Sequence, residues 1–279
     1  MSATGLPTCV SARATVLSNE RLPAGSHHLR FGLEGELPDG GPGQFVMLSL
    51  DGPEAPLLPR PFSLLGWQAE GAGTTVELLL MPVGRVSRGL CALEPRASLQ
   101  LVGPFGQRLD QDLPAGPLVC VAGGYGVAPF LFLCERLAAA DPARAAQVTV
   151  IYGAREAGKL ALVQRLEATG VELLICSDDG SAGRKGRVDA VAAERLQSSP
   201  CAAMFACGPE PMMEAVGQVG QAAGVPTRAS LETVMGCGFA VCNGCAVAVD
   251  EAGPEGQSYE LACREGTLFD TERLQWNLL

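Results

Sequence analysis

The stretch VCVAGGYGVAPF, Val119–Phe130, runs from small and β-branched apolar residues through Gly123, Gly124 and Gly126 into an apolar segment opened by Pro129. It reads as a buried strand, a glycine turn and a helix. Pro129 suits the first helical turn, where a missing N–H costs nothing. Glycines let a backbone approach a pyrophosphate closely, and the helix N-terminus beyond them favours negative charge. A glycine-rich turn is weak evidence alone, and Ala128-Pro129 departs from G-x-G-x-x-G.

The downstream sequence repeats the rhythm. Strands QVTVIYGA, VELLICSDD and AAMFACG alternate with helices LALVQRLEAT, VDAVAAERLQ and PEPMMEAVGQVGQAAG. That alternation predicts a parallel sheet with helices on both faces over residues 113–229. ACGPEPMM, Ala206–Met213, repeats the tight turn at a later strand end with Cys207, Gly208 and Pro209, so two strand ends define a crevice at the carboxyl edge. Between them CSDDGSAGRKG reads either as a polar loop or as the ribose site. In the second reading Asp178 or Asp179 suits NAD(H), while Arg184, Lys185 and Arg187 keep NADP(H) open.

Residues 1–112 have another texture. Short runs such as HHLRFGLEG, GQFVMLSL, PFSLLGW, TTVELLLMPV and ASLQLVG lie between Gly, Pro and Asp clusters, which predicts an antiparallel barrel or sandwich without a long helix. The 279 residues, 47% of them hydrophobic, suffice for two compact domains with an appendage. The net charge of −10 and the lack of a basic block exclude a nucleic-acid surface. No apolar run is long enough for a membrane span and the start lacks the pattern of a signal peptide, so a cytoplasmic protein is expected. In a reducing compartment the 11 cysteines are not a disulfide framework, and the scattered ones read as small buried hydrophobes.

Residues 230–279 form a third segment, in which Cys237, Cys242, Cys245 and Cys263 follow C-x4-C-x2-C-x17-C. Ordinary buried cysteines do not cluster so closely among glycines. Structural zinc sites usually use two separated C-x2-C knuckles, which this spacing does not supply. The spacing is that of a plant-type [2Fe-2S] site, and Gly236, Gly238 and Gly244 let the loop turn its N–H groups toward the sulfurs. A cluster carries one electron at a time, so another group must feed it.

LPRPFSLLG places Arg60, Pro61, Phe62 and Ser63 at the head of a strand, where an arginine can clamp phosphate and a hydroxyl can reach a flavin ring. Arg-Pro-x-Ser, then GGYGVAP, then CGPEPMM resemble, in this order, the ferredoxin–NADP reductase-like flavoproteins: a flavin-binding barrel followed by a nucleotide domain. With the C-terminal cysteine segment, the chain from about residue 10 onward resembles the electron-transfer subunits of class 1B dihydroorotate dehydrogenases. The resemblance implies an FAD-binding barrel (1–112), an NAD-binding α/β domain (113–229) and a [2Fe-2S] segment (230–279). It assigns Arg60 to the FAD phosphates and Ser63, the candidate catalytic residue, to the isoalloxazine near N5. Further FAD contacts fall at Leu79, Leu80 and Met81 and in a G-x-G-T turn matched by Gly84–Ser87, where Val86 replaces the second glycine and Ser87 the threonine. It also implies hydride transfer from NADH to flavin, single-electron transfer to the cluster, and an FMN-containing dihydroorotate dehydrogenase partner in a heterotetramer of two of each. Flavin subunits of hydrogenase, sulfide dehydrogenase or transhydrogenase-type complexes share the architecture. A redox-sensing or assembly module with a zinc-stabilised tail is the alternative of another class. No hydrolytic triad or carboxylate pair is visible, and His27-His28 read as strand residues rather than ligands.

Overall fold

Alternate burial along the first hundred residues comes from strands whose even and odd side chains face opposite sides. The computed structural model describes residues 9–35, 37–53, 55–250 and 258–279. Its first sheet contains β1 (Val10–Arg21), β2 (His27–Glu34), β3 (Phe45–Leu50), β4 (Arg60–Ser63), β5 (Gly66–Glu70), β6 (Gly73–Leu80) and β7 (Ser98–Phe105). Their order is β4-β3-β7-β1-β2-β6-β5, with every pairing antiparallel. Leu29 and Phe31, Val46 and Leu48, Val76 and Leu78, and Leu99 and Leu101 fill the interior. The run expected as one strand, PFSLLGW, is two, because Leu64 and Leu65 turn into buried positions between β4 and β5. These edge strands are therefore consecutive in the chain, and Leu65 N–H donates to the Glu77 carbonyl of β6 at 2.9 Å, closing the barrel.

GRVSRGLC also forms a short helix, α1 (Arg85–Cys91), which dips Val86 and Leu90, four residues apart, into the barrel core. The Asn19 amide donates to the carbonyls of Leu90, Cys91 and Leu93 at 3.1, 3.1 and 2.8 Å, tying β1 to the end of α1 and the turn after it.

The second layer follows as β8 (Leu118–Gly123), α2 (Ala128–Ala140), α3 (Pro142–Ala145), β9 (Val148–Ala154), α4 (Val163–Glu167), β10 (Glu172–Ser177), β11 (Arg184–Lys185), α5 (Val188–Ser198), β12 (Ala203–Cys207), α6 (Glu210–Ala223) and β13 (Thr227–Ser230). The strands run parallel in the order β11-β10-β9-β8-β12-β13. Leu118, Cys120 and Ala122 pack with α2 residues such as Phe130 and Leu131, whereas Val119 and Val121 join a core with Val191 of α5 and Val216 of α6. Burial on both faces is why this strand reads as an uninterrupted apolar run. The chain leaves β8 toward β11 and returns through α5 to β12, so the order reverses between β8 and β12.

The remaining residues form β14 (Ala246–Ala248), β15 (Tyr259–Leu261), α7 (Ala262–Glu265) and β16 (Leu268–Asp270). The last of these pairs antiparallel with β13, adding a seventh strand to the nucleotide sheet. None of the described helices is long and apolar enough to cross a membrane.

Ion pairs hold the barrel to the α/β layer. Arg165 of α4 reaches Glu77 of β6 at 2.9 Å and grips Glu135 of α2 through two contacts of 2.8 and 2.9 Å. His28 Nε2 lies 2.8 Å from Glu77. Histidine 28 is thus a strand residue in an ion-pair network, and His27 contacts Asn19. The hydrogen bond from His28 is the main cause holding the Glu77 carboxyl down at about 2 from its ordinary 4.5; burial opposes it and Arg165 assists. A depressed carboxylate stabilises the fold above its unfolded pKa and loses that contribution as pH falls through the folded one. The stability carried by Glu77, on the order of 3 kcal/mol, is therefore complete above about pH 4.5 and drains away toward pH 2. Urea unfolding across this range should show Glu77→Gln less stable at neutral pH, with a flatter acid dependence than the parent protein.

A candidate electron-transfer site at the sheet edge, the barrel and the cysteine loop

The two glycine turns meet where the strand order reverses. A Cβ on Gly126 would lie 2.1 Å from the Cys207 carbonyl oxygen, and one on Gly123 would lie 2.5 Å from Met212 Sδ and 3.0 Å from Pro209 Cδ. Gly208, at φ +153°, would place a Cβ 3.0 Å from the Gly123 Cα. These three glycines therefore serve the packing of one strand end on the other. Gly124 differs: at φ +56° it has open space where a side chain would be, which suits close approach by a phosphate. The Cys207 thiol is buried and pushed up to about 12, first by burial and then by the nearby charge of Glu232. It is the backbone of this motif that reaches the crevice. Glu232 belongs to no sequence motif, and only the fold brings it beside Cys207.

Asp178 sits exposed just beyond β10, its N–H bonded to the Ala154 carbonyl at 3.1 Å. Asp179 instead accepts from the backbone and hydroxyl of Ser181 at 2.9 and 2.6 Å, shaping its own loop. Arg184 is paired with Glu194, and Arg187 with Asp189 at 3.0 Å. β11, which carries Arg184 and Lys185, was expected only as loop; its two residues are too few for a periodic signal.

On the barrel, β4 sets Ser63 opposite Phe45, Phe62 opposite Val46, Pro61 opposite Met47 and Arg60 opposite Leu48. The Arg60 guanidinium is exposed and donates to the carbonyls of Leu58 and Pro59 in its own turn. Leu57, three residues before it, is 95% exposed, and Val83 is 75% exposed. Leu79 packs toward the nucleotide layer and Leu80 into the barrel, and both pair through β6 with His28 and His27 of β2.

The turn after Met81 spends two side chains on packing. Val86 is buried in the barrel core, and Ser87 is buried with its hydroxyl accepting the Gly84 N–H at 2.9 Å. Both side chains serve the start of α1, since Val86 must fill the core and Ser87 must satisfy a helix-end donor. Outward the turn presents Gly84, Arg85 and Arg88, and the two arginines border a depression with Asp51 and Pro56.

The cysteine loop fits a cluster through its donors. Ala240 N–H points at Cys263 Sγ (3.1 Å), Val241 and Cys242 N–H at Cys237 Sγ (3.4 and 3.5 Å), and Gly244 N–H at Cys242 Sγ (3.5 Å). Ala240 and Asn243 adopt φ +62° and +56° to aim them. Cys245 and Cys263 lie 3.1 Å apart, buried, while Cys237 and Cys242 form a second, more exposed pair. Two pairs suit two irons, whereas one tetrahedral ion needs four thiolates about a single centre. Burial opposes ionisation of Cys237, but the N–H groups of Cys242, Phe239 and Val241 outweigh it and bring the thiol down to about 7. Burial and the adjoining Cys245 push Cys263 up to about 12.

A nucleotide crevice, an arginine-headed barrel strand and a thiolate loop in one body define an oxidoreductase of the electron-transfer class. Residues 120–218 match the oxidoreductase NAD-binding domain, and residues 232–275 match the iron-sulfur cluster binding domain of dihydroorotate dehydrogenase B. The dihydroorotate dehydrogenase B (NAD(+)) electron transfer subunit of Caldanaerobacter subterraneus subsp. tengcongensis is 31% identical over 94% of this chain and 97% of its own. That of Desulforamulus reducens is 33% identical over 84% of this chain and 87% of its own. The chain belongs to this family of electron-transfer subunits. In fold it is similar to a solved NADH-dependent reduced ferredoxin-NADP oxidoreductase, with a TM-score of 0.77 at 24% identity over 100% of this chain and 93% of the other. A cytochrome P450 reductase from Amycolatopsis gives a TM-score of 0.65 at 24% identity, over 77% of this chain and 66% of its own.

Replacing Cys242 with serine should remove a thiolate from the exposed pair and leave the buried core intact. Iron analysis and low-temperature EPR of the reduced protein should show the iron signal lost and the flavin absorbance retained; stoichiometric zinc in anaerobically purified parent protein would contradict the assignment. A second expectation concerns Gly126→Ala, whose methyl would collide with backbone at 2.1 Å. NADH affinity, measured by titration of a folded variant, should fall by at least about tenfold.

Proposed function

We propose that this chain passes electrons between NADH and an FMN-containing dihydroorotate dehydrogenase catalytic subunit in pyrimidine biosynthesis. FAD, held by the barrel within residues 1–112, would exchange hydride with the nicotinamide bound by residues 113–229 and single electrons with a [2Fe-2S] cluster in residues 230–279. A catalytic partner is implied by membership of a family of electron-transfer subunits; two copies of each chain is the assembly we favour. The observation that carries this reading is the packing of the cysteine loop on the barrel strand next to the one headed by Arg60.

The chain's own residues have defined tasks in it. Arg60 offers a planar cation to the FAD phosphates, Gly84 and the Leu79–Met81 backbone supply close donors and acceptors, and Ser63 stands in the strand where the ring is bound. Gly124 admits the dinucleotide phosphates, and the Gly208-Pro209 turn bounds the crevice on its other side. Asp178 is available to the ribose hydroxyls, and pairing of Arg184 and Arg187 with acidic side chains leaves less cation for a 2′-phosphate; both points favour NADH. Val234, Phe239 and Val241 are 84, 55 and 72% exposed around the exposed Cys242, an apolar rim suited to a partner that receives electrons.

The isolated chain should oxidise NADH with ferricyanide yet form no orotate from dihydroorotate. Adding the FMN subunit should restore NAD-linked turnover, and Cys242→Ser should abolish that turnover while sparing the ferricyanide reaction. Orotate produced by the single chain, shown free of partner by mass spectrometry, would overturn the division of labour. Arg60→Ala should weaken FAD retention by about one to two decades, the worth of a charged hydrogen bond. Unchanged flavin affinity would move the phosphates to Arg85 and Arg88.

A further inference from the structure

Met47 lies on β3, between β4, the strand headed by Arg60, and β7. Its register partners are Pro61 on β4 and Val102 on β7. The side chain is 1% exposed, yet it is not used in the barrel interior with its neighbours Val46 and Leu48. It points the other way, into a core shared with Phe45, Phe105, Met235, Cys245 and Cys263. The residue resting on it is Gly238, immediately after Cys237. A Cβ on Gly238 would lie 2.6 Å from Met47 Cγ, 3.1 Å from Met47 Sδ and 3.3 Å from Phe105 Cε2. Gly238 is also held at φ +85°, so the loop touches the barrel at a point where backbone meets thioether.

We propose that Met47 is a positioning residue: it sets the gap between the flavin-bearing strand and the cysteine loop, and with it the rate at which electrons cross. The proposal rests on the function argued above. In that reaction NADH gives up a hydride, two electrons with one proton, and becomes NAD⁺. A flavin bound there would supply those two electrons singly, each reducing one ferric ion of a bound cluster to ferrous on the way to the partner, with the flavin protons released to solvent. Electron transfer through protein falls steeply as the gap widens, whereas hydride transfer to the flavin does not involve the loop. A close-packed contact is hard to compress, and the unbranched, polarizable thioether can fill the irregular space under a glycine.

The test uses the protein loaded with FAD and cluster and follows flavin bleaching and cluster reduction separately by stopped-flow after mixing with NADH. In Met47→Ala the ratio of cluster reduction to flavin reduction should fall roughly tenfold, because a displacement of about an ångström suffices for such losses. Met47→Leu, which conserves volume, should keep the ratio within about threefold of the parent. Hydrogen–deuterium exchange should accelerate by about tenfold at the amides of residues 236–245 in Met47→Ala, with iron content and the rest of the exchange map unchanged. Gly238→Ala, which leaves the barrel core whole, replaces Met47→Ala where the latter does not fold and must lower the same ratio. An unchanged ratio in a folded, fully loaded variant overturns the role of Met47 and leaves the functional reading standing. A parent protein that binds neither flavin nor cluster would instead overturn the functional reading.

Discussion

The pairing of β16 with β13 is the constraint on which the rest depends. The cysteine segment has strands of only three residues and no core of its own, so it must borrow one. By adding β16 to the nucleotide sheet it brings Cys245, Cys263, Val247 and Phe269 into the core formed by Val119, Val121 and Met204. Leu231 N–H donates to the Thr267 carbonyl at 2.8 Å, and the Thr267 hydroxyl donates to the Gly43 carbonyl of the barrel at 3.1 Å. One short strand thereby ties three parts of the chain together. A freely tethered cysteine loop would meet the barrel in many geometries; this one meets it through the buried contact of Gly238 with Met47.

The barrel and the α/β layer are joined by other means. Two networks of charged side chains, Glu77–Arg165–Glu135 and Asp39 with Arg108 and Arg136, span the junction. Charge networks are specific in geometry and less costly to rearrange than an apolar core. The nucleotide crevice is built the opposite way, from backbone against backbone. Gly126 on the Cys207 carbonyl leaves no room for adjustment, so the two turns that bound the crevice move as one. Close backbone packing therefore sits at the crevice, and the charged contacts lie between the layers.

Much of this was legible in the chain itself. The alternation of strand and helix after residue 113, the short strands before it and the C-x4-C-x2-C-x17-C spacing each report a local or periodic property. The misreadings occurred where tertiary demand overrides local pattern. PFSLLGW looks like one strand because Leu64 and Leu65 are apolar, but they are apolar to fill the corner between β4 and β5. In the turn of Val86 and Ser87 the barrel core and the helix start claim both side chains, which the spacing did not reveal and which leaves the backbone for the FAD contact proposed there. Glu194 and Asp189 carry no motif, and their pairing with Arg184 and Arg187 exists only once α5 has packed.

What the sequence alone determined is the set of chemical groups and the fold class: glycines ahead of a helix start, an arginine heading a barrel strand, four thiols at cluster spacing, and the two hydrophobic periods. These follow from covalent spacing and from which side chains water excludes. The tertiary structure alone decided which groups face the crevice and which are spent on packing. Gly124 and Gly126 are two residues apart, yet one lies open and the other is pressed on Cys207, and Met47 meets Gly238 from 191 positions away in the chain. Such contacts are fixed by close packing between distant segments, a property that no local run of residues carries.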